Sequence, residues 1–126
     1  MPNYWLVKTE PSTYSLDDLE REGTATWDGV KNPVALKHLR AMQPGDDVLI
    51  YHTGDEKAVV GVATVVAAAN PDPKIKAKRR LPRPVTLATI KGDKAFADLP
   101  LVRIGRLSAM PIPAALYGRI LKLAGA

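Results

Sequence analysis

The stretch Val59-Val-Gly-Val-Ala-Thr-Val-Val-Ala-Ala68 follows Asp47-Val-Leu-Ile-Tyr-His-Thr53 across the polar turn Gly54-Asp-Glu-Lys57. Both runs are rich in β-branched residues and read as strands joined by a hairpin turn. Val59, Val60, Val62, Val65 and Val66 put apolar groups on both faces of the second strand. Such a strand has to be covered on both sides. It therefore belongs in a small barrel with helices packed outside.

Working outward, Tyr4-Trp-Leu-Val7 reads as an opening strand. Ser15-Leu-Asp-Asp18 has the form of a capping box, with Ser15 as N-cap of a short helix that ends near Gly23. Asn32 before Pro33 marks a second helix start, since proline fits the first helical turn. Ala35, Leu36, Leu39 and Met42 share one face of that helix, and Pro44-Gly45 stops it. Pro71 and Pro73 end the long strand and open a basic loop at 74–84. Residues 85–90 and 101–104 read as further strands. Leu116, Tyr117, Ile120, Leu121 and Ala124 form the buried stripe of a last helix, stopped by Gly125. Five to six short strands and three or more short helices, without regular β-α-β alternation, predict an α+β fold with a closed or nearly closed sheet. We expect a single domain over 1–126.

The chain has 126 residues, 46% of them apolar, enough for a real core and too many for disorder. No apolar run approaches the length of a membrane span, and no membrane partner is expected. With no cysteine, the sequence excludes disulfides, thiolate catalysis and zinc–sulfur sites. Charged residues begin at Lys8 with no apolar stretch before them, which reads as no secretory leader. The expectation is an intracellular, cytoplasmic chain and a monomer, with nucleoid or nuclear placement left open. Charge is concentrated in one place. Without Lys74, Lys76, Lys78, Arg79, Arg80 and Arg83, the rest of the chain carries a net −1 instead of +5. A local basic run suits docking of phosphates, and equally suits a solvated loop.

Familiar catalytic patterns are absent: the sequence has no GxxxxGK[ST], no GxGxxG and no GxSxG. His38 and His52 have no second ligand at metal spacing, so no metal and no cofactor is expected. Asp17-Asp18 and Asp46-Asp47 fall at a helix start and a turn, where acids cap backbone groups. The distinctive feature is Trp27, followed by Asp28, Gly29 and Asn32 in a loop. An indole beside Asp and Asn side chains suits stacking on a planar heterocycle, and it also suits a lid over the core. The strand end Lys8-Thr-Glu-Pro-Ser12 and the segment Arg106-Leu-Ser108 are further candidates at a barrel mouth.

Together, Tyr4-Trp-Leu-Val-Lys-Thr-Glu-Pro-Ser12, Trp27-Asp-Gly-Val-Lys-Asn32, Leu39-Arg-Ala-Met42, Tyr51-His-Thr-Gly54, Pro71-Asp-Pro73 and Arg106-Leu-Ser108 resemble the EVE domain family in ordered motifs along nearly the whole chain. The resemblance implies a PUA-like β-barrel, related to YTH domains, that reads a modified base, chiefly a modified cytosine in DNA, flipped from the stack into a pocket. A flipped base needs a stacking face, hydrogen-bond partners for its edge and cations for flanking phosphates. By this resemblance Trp27 stacks on the base. Asp28, Asn32, Lys8, Thr9, Glu10 and Ser12 supply polar contacts, Tyr51 and His52 complete the wall, and Arg106 and Ser108 form the rim. Lys74, Lys76, Lys78, Arg79, Arg80 and Arg83 form a phosphate clamp.

The sequence departs from the family pattern at Arg83-Pro84, where members often carry tryptophan, and at Gly105, usually serine. Two alternatives stand beside the reader. One is binding of unmodified RNA, as by PUA domains. The other is a small ASCH-type amidohydrolase using Lys8, Thr9 and Glu10. Successive strand residues point to opposite faces, which argues against those three converging on one carbonyl.

Overall fold

A computed structural model describes residues 3–69 and 72–126. Six strands form one sheet in the order β2-β5-β4-β3-β1-β6, curled into a half-barrel with five α-helices packed around it. Along the chain these are β1 (Tyr4–Thr9), α1 (Leu16–Glu22), β2 (Thr24–Thr26), α2 (Pro33–Ala41), β3 (Asp47–His52) and β4 (Ala58–Ala67). There follow β5 (Lys74–Thr86), α3 (Leu87–Lys91), a single 3-10 turn at Lys94–Phe96, α4 (Pro100–Arg103), β6 (Ala109–Ile112) and α5 (Ala114–Leu123). No helix among the described residues is long and apolar enough to cross a membrane.

One pair is parallel. β1 and β3 run together from Tyr4 opposite Asp47 to Thr9 opposite His52. β3 returns as the β3–β4 hairpin, and β4 pairs antiparallel with β5. As its apolar pattern requires, β4 is buried from Ala58 through Ala63, and Val65 is buried beyond them. The two outermost strands are short: β2 has three residues and leaves β5 without a partner strand on that side beyond Lys76 among the described residues, and β6 has four, including Pro111.

The helix signals act as the sequence predicts. Ser15 Oγ accepts from Asp18 N while Asp18 Oδ2 accepts from Ser15 N, at 3.1 and 2.8 Å. Asn32 Oδ1 accepts from Val34 N and Ala35 N. Ala35, Leu39 and Met42 are buried along α2, as are Tyr117 and Ile120 along α5. α1 crosses β4 at Gly61, where an added Cβ would lie 2.5 Å from Leu16 Cδ2.

Three expectations are corrected. The basic stretch 74–84 is no loop; it belongs to β5, with Ile75, Leu81 and Val85 buried and the charges outside. Pro82 and Pro84 sit where the β4–β5 register slips between Arg80 and Val85, so their missing N–H groups interrupt no regular ladder. Residues 85–90 are only briefly strand: Thr86 Oγ1 accepts from Thr89 N and starts α3. The stretch 101–104 lies mostly in α4, with Pro100 at its first turn. The expected role of Pro71 lies outside the described residues.

Asp46 is the buried acid of the sheet, 3% exposed. Burial alone would raise its pKa, but hydrogen bonds from Asn3 N, Trp5 Nε1 and Gln43 N, at 3.0, 2.9 and 3.0 Å, hold it below the ordinary value. Asp46→Ala should lower stability in chemical denaturation by about 3 kcal/mol, because it orphans these donors. A depressed folded pKa contributes stability that is complete above the unfolded carboxyl pKa and lost as pH falls through the folded one. The Asp46 contribution should therefore fade on acidification, and Asp46→Asn should flatten that part of the acid limb. Gly61→Ala should cost about 1–3 kcal/mol by driving α1 off β4, measured in the same way.

Candidate functional site

A cavity of about 700 Å³ opens beside the carboxyl end of β1. Lys8 and Thr9 reach it from β1, Thr13 and Tyr14 from the turn before α1, and Glu22 from the end of α1. Thr24 to Thr26 of β2 and the loop from Trp27 to Val30 form the opposite wall, with Lys74 at the start of β5. The walls are held by local chemistry. Pro11 ends the strand direction, and Glu10 O accepts from both Thr13 N and Tyr14 N in a tight turn. Thr9 Oγ1 donates to Tyr14 O at 2.6 Å, closing that turn on β1. Trp27 N donates to Pro73 O, and Gly29 takes φ +77°, where glycine avoids a steric penalty.

The Tyr14 and Trp27 rings meet edge to face, with centroids 6.1 Å apart at 79°. Trp27 is 8% exposed and packs with the core while lining the cavity. Tyr14 Oη donates to Glu22 Oε1. Burial, reinforced by that carboxylate, pushes the Tyr14 phenol up to about 12. Lys8 Nζ donates to Gly105 O at 2.9 Å and lies 5.6 Å from the centroid of the Tyr51 ring. Burial lowers the pKa of Lys8.

Of the residues expected at the site, Lys8, Thr9, Trp27 and Asp28 line the cavity together, with Lys74 from the basic stretch. The others lie elsewhere. Glu10 is turned toward Ser12 N, Ser12 Oγ and Thr53 Oγ1, whose hydrogen bonds lower its pKa against burial. Asn32 is exposed, and its carbonyl oxygen caps α2. His52 is buried on β3: its Nε2 accepts from Leu16 N, and its Nδ1 lies 2.6 Å from Glu56. Tyr51 lies on the other side of Lys8, against a smaller cavity. Ser108 meets β1 through its carbonyl, which accepts from Lys8 N, and Arg106 is exposed in the preceding turn.

The basic stretch is dispersed over the molecule. Lys78 pairs with Asp47, which also accepts from Tyr117 Oη. Arg80 pairs with Asp17 and Glu20 of α1, and Arg83 Nε donates to Leu123 O at the end of α5. Lys74, Lys76 and Arg79 are in no ion pair among the described residues. Residue type did not reveal Tyr14 and Glu22 as members of the cavity. Their available signal is position: Tyr14 lies between the Pro11 break and the Ser15 cap, so it must fold back onto the strand end.

The EVE domain model matches residues 3–123. Mouse thymocyte nuclear protein 1 is 37% identical over 84 residues, a match covering 57% of this chain and 37% of that protein. This chain thus matches only about a third of that relative's length. A solved structure from Rhodopseudomonas palustris is 37% identical, with TM-score 0.93 over 98% of this chain and 93% of that one. Human THYN1 in complex with 5-methylcytosine-containing DNA shares the fold at TM-score 0.88 and 23% identity, covering 98% of each chain.

Glu22→Gln should bring the Tyr14 phenol down from about 12 toward the ordinary value, with burial retaining part of the rise. NMR titration of the tyrosine ring carbon bearing the hydroxyl reads this directly. An unchanged Tyr14 titration would remove Glu22 from the account of that wall.

Proposed function

The chain belongs to the EVE domain family, and on that premise we propose that it is a non-catalytic nucleic-acid-binding module that reads a modified base. The base leaves its stack and enters the cavity at the end of β1, where Trp27 offers an aromatic surface and Asp28 and Thr9 offer polar groups to its edge. The observation that carries this reading is the cavity itself. It joins two aromatic rings, a semi-buried lysine and several hydroxyls within about 700 Å³, a combination suited to a flat polar heterocycle. DNA is preferred to RNA, and a modified cytosine to other bases, because the human relative is seen with 5-methylcytosine-containing DNA. Lys74, Lys76 and Arg79 contact flanking phosphates in this reading, since Lys78, Arg80 and Arg83 are engaged within the protein.

The amidohydrolase alternative is disfavoured by geometry. Lys8 Nζ is held by Gly105 O, Thr9 Oγ1 donates to Tyr14 O, and Glu10 faces Ser12 and Thr53. These three side chains do not converge on one point where a carbonyl could react.

Tryptophan fluorescence during titration with short oligonucleotides differing in one base tests the reading. Cytosine, 5-methylcytosine, 5-hydroxymethylcytosine and N6-methyladenine would be compared in DNA and RNA at fixed salt. Binding at least tenfold tighter for one modified base is expected, with Trp27→Ala abolishing the preference and Trp27→Phe retaining part of it. Anisotropy of labelled oligonucleotides measures the variants, and thermal melting confirms that they fold. Equal weak binding to every oligonucleotide, unchanged in Trp27→Ala, overturns the proposal.

A further inference from the structure

Lys8 stands between two cavities. On the side away from Trp27 lies a smaller one of about 200 Å³, lined by Lys8, Tyr51, Lys57, Lys91 and Gly105 among others. It falls below the roughly 300–1,000 Å³ typical of sites for drug-sized ligands. Three of its side chains are cationic, and no carboxylate lines it among the described residues. Neither Lys57 nor Lys91 is in an ion pair there. The Glu10 carboxylate packs behind Thr53 and Gly54 at the cavity margin, where Ser12 and Thr53 hydrogen-bond it, and is not itself among the lining residues.

Two features make this a built site. Tyr51 is 3% exposed, and its hydroxyl makes no hydrogen bond among the described residues. No fully enclosed side-chain polar atom lacks a partner there. The hydroxyl oxygen therefore keeps open surface while its ring is buried, and the cavity is the space that Tyr51 lines. The accessible hydroxyl is thus free to hydrogen-bond a ligand oxygen entering the cavity. Lys57 is also the non-glycine residue with positive φ among the described residues, at +46°. Its carbonyl accepts from Leu87 N at 2.7 Å, which fastens the β3–β4 turn to the start of α3. The turn so formed places the exposed Lys57 at the rim of the same cavity as the exposed Lys91.

We infer that this cavity binds a phosphate group through Lys57, Lys91 and the Tyr51 hydroxyl, with Lys8 as the cation shared with the larger cavity. The inference rests on the proposed reader, and assigns the second cavity to a backbone phosphate near the extracted base. Lysine and tyrosine side chains are common phosphate partners, and they fix a nucleic acid's position without reading its sequence.

Amide NMR titration with inorganic phosphate and, separately, with a 5-methylcytosine oligonucleotide tests this. Perturbation of Lys57 and Lys91 by inorganic phosphate supports the site and shows that free phosphate suffices. Perturbation by the oligonucleotide alone supports it as a nucleic-acid phosphate subsite. Perturbation by neither overturns it. In binding assays, Lys57→Gln with Lys91→Gln should weaken modified and unmodified oligonucleotides by the same factor and flatten the log–log salt slope by roughly 1. Tyr51→Phe should weaken both equally as well. If these variants bind as the wild type does while Trp27-dependent base preference persists, the phosphate site fails and the reader stands. If phosphate perturbs Lys57 and Lys91 but no base preference exists, the reader fails and the anion site stands.

Discussion

Asp46, through its carboxylate and its backbone carbonyl together, ties three strands to one another. Its carboxylate oxygens take Asn3 N and Trp5 Nε1 from the start of β1 and Gln43 N from the turn after α2. Its own carbonyl takes Val65 N and Thr64 Oγ1 from β4. One residue thereby sets β1, β3 and β4 against each other. The parallel register it supports puts Lys8 opposite Tyr51 and Thr9 opposite His52 at the far end of the pair. A slip of one residue would turn every side chain of β1 to the other face, removing Lys8 and Thr9 from the cavity. Hydrogen bonds at the opposite end of the sheet thus join the β1–β3 ladder in setting where the candidate cavity lies.

The same economy of side chains explains why so many polar residues near the site do not face it. The His52 ring takes the N–H of Leu16, one of the orphan donors of the first turn of α1. Asn32 performs the corresponding task for α2. Arg80 holds α1 against β5 through Asp17 and Glu20, and Asp47 joins Lys78 of β5 and Tyr117 of α5 by accepting from both. These exposed pairs contribute modestly to stability, but they fix where the helices lie. Helix placement in turn sets the cavity walls that Tyr14 and Glu22 supply.

Much of this was legible in the residues. The capping signals at Ser15 and Asn32, the hairpin of β3 and β4, the burial of β4 on both faces and the last helix all follow from local chemistry. β5 was hidden because its charges suggested a loop, although Ile75, Leu81 and Val85 carry the inward apolar set of a strand. α3 and α4 are five and four residues long, too short for helical periodicity to separate them from strands. β6 was masked by Pro111, which an edge strand tolerates because its N–H need not enter a ladder. Of the residues lining the larger cavity, Lys8, Thr9, Trp27 and Asp28 stand out in the sequence through position and residue type. Tyr14 and Glu22 join through a contact eight residues apart that spans all of α1.

The half-barrel also has a consequence for how the molecule meets its own kind. An unclosed sheet leaves two rows of backbone groups on which a foreign strand could build. Here one margin is the three residues of β2 and then the edge of β5 beyond Lys76, which carries Lys78, Arg79, Arg80 and Arg83 and is broken by Pro82 and Pro84, and the other is a four-residue strand interrupted by Pro111. Neither offers enough regular backbone to template a neighbour. The sheet can therefore stay open around its cavities without inviting fibrillar growth from its ends.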